Sequence, residues 1–192
     1  MRVLSGLPPH LKPQAAALYW QAFGSKLGRV LGPEPMALAF LGRVIRGDHC
    51  LYVLDEGGEL VGIAGFKSPN GSFASGQPQD MRAVYGWAGA AWRTAALHLL
   101  QSEIDNDRFL VDGICVSHNH RGQGVGSALL DALVAEARFR GYGAIRLEVI
   151  DTNIRARALY ERMGFAAWRH ETLGPLRHLF GFSRATTMVR TV

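Results

Sequence analysis

Arg121-Gly122-Gln123-Gly124-Val125-Gly126-Ser127 is the segment of this sequence best suited to chemistry. It lies between an apolar, β-rich run and a run with helical spacing. Three alternate glycines let the main chain turn sharply and approach a ligand closely. The first N–H groups of a helix have no internal partner and sit at the positive end of its dipole. A pyrophosphate fits such a place. The same spacing also suits a tight turn whose glycines serve packing alone. Two other phosphate sites fit less well. A dinucleotide fingerprint, G-x-G-x-x-G, needs glycine where Ser127 stands. Its acidic partner would be Glu148, but Val149 and Ile150 continue that strand. A P-loop needs Gly-Lys-Ser/Thr, which does not follow. Cys115, His118 and His120 are close in sequence, but one strand-loop segment without a second cluster does not make a zinc site. No metal is expected. Cys115 has no histidine–acid pattern around it and reads as a small buried residue.

The elements that must hold this turn follow from periodicity and chain breakers. Phe109 to Val116 reads as a strand with apolar residues on both faces, as in the centre of a sheet. Gly126, Leu129, Leu130, Leu133 and Ala137 share one helix face, and Gly141 and Gly143 stop that helix. Ala144 to Ile150 is the next strand, and Ile154 to Met163 a short helix stopped at Gly164. Phe165 to His170 and Ala185 to Val192 are the last two strands. Upstream, Ala15 to Phe23 and Pro35 to Ile45 read as helices. His49 to Leu54 and Leu60 to Phe66 form a β-hairpin across Asp55-Glu56-Gly57-Gly58. Turn residues from Ser68 to Pro78 and a helix from about Met81 to Ile104 make an insertion over roughly 68–108. The expectation is a mixed α/β sheet with one parallel crossover unit.

Length and composition narrow the classes. The chain has 192 residues, 48% hydrophobic and 19% charged, which argues for one folded domain spanning 1–192 rather than disorder. Two cysteines, Cys50 and Cys115, give no disulfide framework and suggest a reducing, cytoplasmic setting. The N-terminus lacks the apolar run of a signal peptide. The most apolar stretch, Ala83 to Leu100, is broken by Arg93 and His98, so no membrane span is expected. The net charge of +5 rests on scattered arginines without an aromatic-interleaved stripe, which gives no support for a nucleic-acid partner.

From Val111 to Trp168 the sequence resembles the GNAT superfamily of acetyl-CoA-dependent N-acetyltransferases. The match is carried by Ile114-Cys115-Val116 and by Arg121 to Leu130, where Arg121, Gly124 and Gly126 meet the signature R/Q-x-x-G-x-G/A. Leu147-Glu148-Val149, Asn153, and Ala158-Leu159-Tyr160-Glu161-Arg162-Met163-Gly164-Phe165 complete it. The resemblance implies a mostly antiparallel sheet with a central parallel β-α-β unit and helices on both faces. Two departures stand out. His118 replaces a frequent proline. Lys67 and Phe109 are about 40 residues apart where relatives have a short turn, so acceptor geometry does not carry over.

The resemblance also implies roles. Main-chain groups of Ile114, Cys115 and Val116 would bond the pantetheine arm as a pseudo-strand. The amides of Gly122, Gln123, Gly124, Val125, Gly126 and Ser127, beside Arg121, would hold the pyrophosphate, and a backbone N–H would stabilise the oxyanion. Tyr160 would be the general acid for the departing thiolate. Asn153, seven residues earlier, would contact the cofactor or a water; it also has the composition of a helix N-cap. Glu148 is the candidate base for the amine, with Asp112 or a water relay as alternatives. Glu148 also suits a structural pair with Arg146. Arg155 or Arg157 would approach the 3′-phosphate of coenzyme A, unless they form only a solvated basic face. The insertion, with Tyr85, Trp87, Trp92, Leu97, Leu99 and Leu100, reads as an extra helix packed on the sheet, an acceptor-pocket wall or a dimer surface. The loop Leu173-Gly174-Pro175-Leu176-Arg177-His178 lies where the family's acceptor site often is.

The reading is thus an acetyl transfer from acetyl-CoA to a primary amine by direct attack in a ternary complex, in a monomer or homodimer. Alternatives are a non-catalytic acyl-CoA sensor, a protein-interaction module built on the aromatic insertion, and a nucleotide-dependent oxidoreductase.

Overall fold

The computed structural model describes residues 1–98, 107–174 and 177–192. Strand β1 (Val3–Ser5) precedes helices α1 (Lys12–Leu31) and α2 (Glu34–Val44). Then come β2 (Cys50–Leu54), β3 (Leu60–Ser68), the short β4 (Gly71–Ser72) and α3 (Pro78–His98). The second half is β5 (Phe109–Val116), α4 (Val125–Phe139), β6 (Ala144–Ile150), α5 (Ile154–Arg162), β7 (Ala166–Thr172), α6 (Arg177–Phe180) and β8 (Arg184–Thr191). The strands form one sheet in the order β1-β2-β3-β5-β6-β8-β7, with β4 on β3. Among the described strands only β5 and β6 pair in parallel, and α4 is their crossover.

Helices cover both faces, as two separate cores show. On one face, Leu129, Leu130, Leu133 and Ala137 of α4 pack on Phe66, Phe109, Ile145 and Leu147, joined by Tyr160 and Phe165. On the other, Ala15, Ala16 and Leu18 of α1 and Leu41 of α2 pack on Cys50, Ile63, Phe73 and Cys115. Each buried leucine contributes about 1.5–3 kcal/mol, so these faces anchor the sheet firmly.

The differences from the sequence expectation have local causes. Helix α1 does not stop at Phe23, although Gly24 and Ser25 follow. It runs on because Val30 and Leu31 are fully buried, which outweighs the ~1 kcal/mol propensity cost of a glycine. Strand β1 has three residues, too few to show a pattern in sequence. The insertion helix starts earlier than expected and is broken at Gly86, whose φ of +68° ends one helical run before the next begins. Its expected stretch beyond His98, with Leu99 and Leu100, lies outside the described residues, as do Pro175 and Leu176. Helix α3 packs chiefly on α2 and α1, through Met81, Tyr85 and Ala90. The Tyr85 hydroxyl donates to the Leu31 carbonyl. Among the described residues no helix is long and apolar enough to cross a membrane.

Candidate active site

Strands β5 and β6 pair at Phe109 with Ile145 and at Leu110 with Arg146, and then part. Beyond that point β5 stays paired with β3 as far as Val116, and β6 with β8 as far as Ile150. The facing edges of the two strands are left without a strand partner. Unpaired backbone groups of this kind are a template for an added strand. Strand β5 also carries a bulge: Gly113 faces Gly65 and Val111 faces Phe66, so Asp112 is the extra residue. A bulge re-aims the backbone groups around it and suits a binding edge.

A cavity of about 460 Å³ fills this fork. Its floor is Val111, Asp112, Gly113 and Ile114 on one side and Leu147, Glu148, Val149 and Ile150 on the other. Asn153, Ala156 and Tyr160 close one end. Tyr19, Phe23 and Lys26 of α1, and Met81, Thr94, Leu97 and His98 of α3, form the wall above. The insertion therefore supplies part of the wall of this cavity.

The glycine turn follows β5 and leads into α4, and Arg121 to Ser127 are not among the residues that line the cavity. Gly124 caps α4 with φ +83°, a left-handed conformation that a side chain would strain. The first intrahelical bond of α4 runs from Ala128 N–H to the Gly124 carbonyl. Helix geometry thus leaves the N–H groups of Val125, Gly126 and Ser127 without an internal acceptor. Gly126 permits α5 to approach: a Cβ there would stand 3.1 Å from Leu159 Cδ2. That contact sets the helix of Tyr160 against the N-terminus of α4. Arg121 and Gln123, both exposed, donate to the carbonyls of Val116 (3.3 Å) and Asn119 (3.0 Å), and so shape the loop.

Of the expected site residues, Ile114, Glu148, Asn153 and Tyr160 meet in the cavity. Burial pushes the Tyr160 phenol up to about 12, with the nearby Cys115 adding to the effect. The hydroxyl therefore stays protonated at neutral pH. It has no hydrogen-bond partner among the described residues, so it can donate to an incoming group. Asn153 Oδ1 accepts from Ala156 N–H at 3.2 Å, so it is the N-cap of α5 as well as a cavity residue. Arg146 donates to Glu148 Oε1 at 3.1 Å, so this carboxylate has a structural partner while lining the cavity. Asp112 is more enclosed: it accepts from Ala74 N–H at 3.1 Å and stands 3.7 Å from Lys67 Nζ. Cys115 and Val116 lie away from the cavity. The Cys115 thiol is buried on the α1 face, and burial raises its pKa, which makes it a poor nucleophile. Arg157 is paired with Glu161 at 2.9 Å, and Arg155 is exposed. Among the described residues no group of three or more His, Cys, Asp and Glu is placed to hold a metal.

The family model for the acetyltransferase (GNAT) family matches residues 13–165. The chain belongs to the GNAT acetyltransferase family. A GNAT relative, streptothricin acetyltransferase from Streptomyces lavendulae, is 36% identical over 93 residues, 48% of this chain and 49% of that protein. The ribosomal protein bS18-alanine N-acetyltransferase of Escherichia coli K12 is 37% identical over 73 residues, 38% of this chain and 48% of that one. The chain thus spans about half the length of these curated relatives. A solved acetyltransferase structure from Corynebacterium glutamicum matches over 98% of this chain and 94% of its own, with a TM-score of 0.68 at 23% identity, a likeness of fold.

Sequence reasoning missed the α1 side of this cavity. Tyr19, Phe23 and Lys26 read as ordinary positions of an amphipathic helix, and Lys26 lay beyond its expected end. Phe182, also in the cavity wall, followed a loop with no periodic pattern. No local signal marks these residues, because only the packing of α1 across the fork aims them inward.

Proposed function

We propose that the chain transfers an acetyl group from acetyl-CoA to a primary amine by direct attack in a ternary complex. The observation that carries this reading is the fork between β5 and β6, with an unpaired strand edge and a neutral phenol at one cavity, and beyond the end of β5 a helix start with no side-chain cap. The open edge from Ile114 to Val116 offers N–H and C=O groups to the amides of a pantetheine arm. The amides of Gly122 to Ser127 suit its pyrophosphate. The bulge at Asp112 frees a backbone N–H to polarise the thioester carbonyl, whose developing negative charge it would stabilise.

Tyr160 acts as the general acid. Its raised pKa keeps the proton in place until the thiolate departs. Glu148 takes the proton of the attacking amine, with Arg146 holding its carboxylate in position. Asp112 is the weaker candidate, being tied to Ala74 and Lys67. The cavity's size suits a small amine, or one end of a larger chain.

Calorimetric titration with acetyl-CoA, with NAD(P)H as control, tests the first half of the proposal. Saturable binding of acetyl-CoA alone is expected, and equal binding of NAD(P)H would return the oxidoreductase reading. Thiol release across an amine panel tests the second half. Binding without turnover on any amine would leave a sensor.

A further inference from the structure

The chain contains three lysines, Lys12, Lys26 and Lys67. Lys26 and Lys67 line the cavity, and Lys12 does not. The Lys67 ammonium is engaged with Asp112 at 3.7 Å. Lys26 makes no ion pair among the described residues. Its Nζ lies instead 5.0 Å from the centroid of the Phe23 ring and 5.9 Å from that of Phe182. Removing a lysine from water disfavours its charged form. Burial accordingly lowers the Lys26 pKa, against a smaller opposing pull from Cys115 and Glu148. The neutral amine is the nucleophilic form, and desolvation is one way a lysine is activated. Lys26 is therefore a tethered primary amine in the cavity that also holds Tyr160 and Glu148.

We propose that Lys26 is a self-acetylation site, its amine attacking the thioester of acetyl-CoA held by the same chain. The inference rests on the acetyl-CoA reading above. The neutral Nζ forms a C–N bond to the acetyl carbonyl carbon as the C–S bond breaks. The sulfur takes the phenolic proton of Tyr160. The ammonium first gives one proton to solvent; the second, lost by nitrogen on attack, passes by Glu148 to restore the Tyr160 phenol. In sum, lysine ammonium and acetyl-CoA give N-acetyl-lysine, coenzyme A thiol and one proton. No further reagent is required. Tethering replaces a bimolecular encounter with an intramolecular one. The product loses its charge and occupies acceptor space, so modification would slow transfer to other amines.

The test incubates the full chain with acetyl-CoA and no added amine, follows intact mass, and maps the label to individual lysines. Calorimetry on the same preparation measures acetyl-CoA binding. One acetyl group on Lys26 is expected, at a first-order rate independent of protein concentration. Tyr160→Phe should slow the step by about 10²-fold, and Lys26→Arg should remove the label while binding acetyl-CoA normally. A label spread over Lys12, Lys26 and Lys67 as in the urea-unfolded chain would be simple chemical acylation and would overturn the proposal. Normal acetyl-CoA binding with Lys26 unmodified would also overturn it, leaving the transferase reading intact. Absence of binding would overturn both.

Discussion

The two sides of the fork are built from different materials. The side toward α4 and α5 is largely main chain: an unpaired strand edge, a bulge and an uncapped helix start. The side toward α1 and α3 is all side chains: Tyr19, Phe23, Lys26, Thr94, Leu97 and His98. A backbone site recognises repeating amides and phosphates, tolerates side-chain change and is fixed by glycine positions. A side-chain site recognises one acceptor and changes with every substitution. On the proposed function, the first side holds the donor common to the family and the second chooses the amine.

The largest effect should come from the residue that serves both sides. Tyr160→Phe should lower turnover by about 10²–10⁴-fold with acetyl-CoA affinity retained, since it removes a proton and little surface. Equal turnover in steady-state assays would remove Tyr160 from the mechanism.

Next comes a break confined to the side-chain wall. Thr94 is exposed on α3 and lines the cavity. Thr94→Trp should fill acceptor space and lower kcat/KM for the amine by about 10-fold or more, the scale of a pocket misfit. Calorimetric affinity for acetyl-CoA should be unchanged. A parallel loss of both would show that the two sides are not separable.

A break confined to the backbone side should be smaller and of the opposite kind. Gly124→Ala places a Cβ at φ +83°, a strain of about 1–2 kcal/mol. Acetyl-CoA affinity should fall by up to about tenfold, with the Tm lowered and the amine KM kept. Ser127→Ala and Gln123→Ala should leave affinity within about twofold, because backbone amides do the binding.

The smallest effect near working conditions is alkaline. The folded Tyr160 pKa is raised to about 12, above its ordinary 10, and Cys50 is also raised to about 12. Folding thus favours the protonated forms. Their contribution is fully present below the ordinary values and is lost as pH rises through about 12. Urea midpoints should hold across neutral pH and fall steeply as pH rises past 10. The alkaline limb from loss of the Tyr160 proton should stay absent from the rate profile in the neutral range.

Legibility followed the same division. Strands β5 and β6 have the ends that the sequence implies, since both are short apolar runs bounded by breakers. The turn was legible because Gly122, Gly124 and Gly126 fill positions that few other residues can. Tyr160, Glu148 and Asn153 were legible only through the family resemblance. Alone, each also reads as an ordinary core, paired or capping residue, and the structure gives Asn153 its cap and Glu148 its arginine.

By itself the sequence determined the crossover unit and the glycine turn, because these rest on local rules: helix and strand periods, positive φ, and chain breakers; the family came through the resemblance of its motifs. Only the tertiary structure decided that β5 and β6 part after two paired positions. It alone showed that α1 continues to Leu31, that the insertion roofs the fork, and that Lys26 stands between two aromatic rings inside it. Those features depend on which distant surfaces bury one another, and no stretch of neighbouring residues encodes that choice.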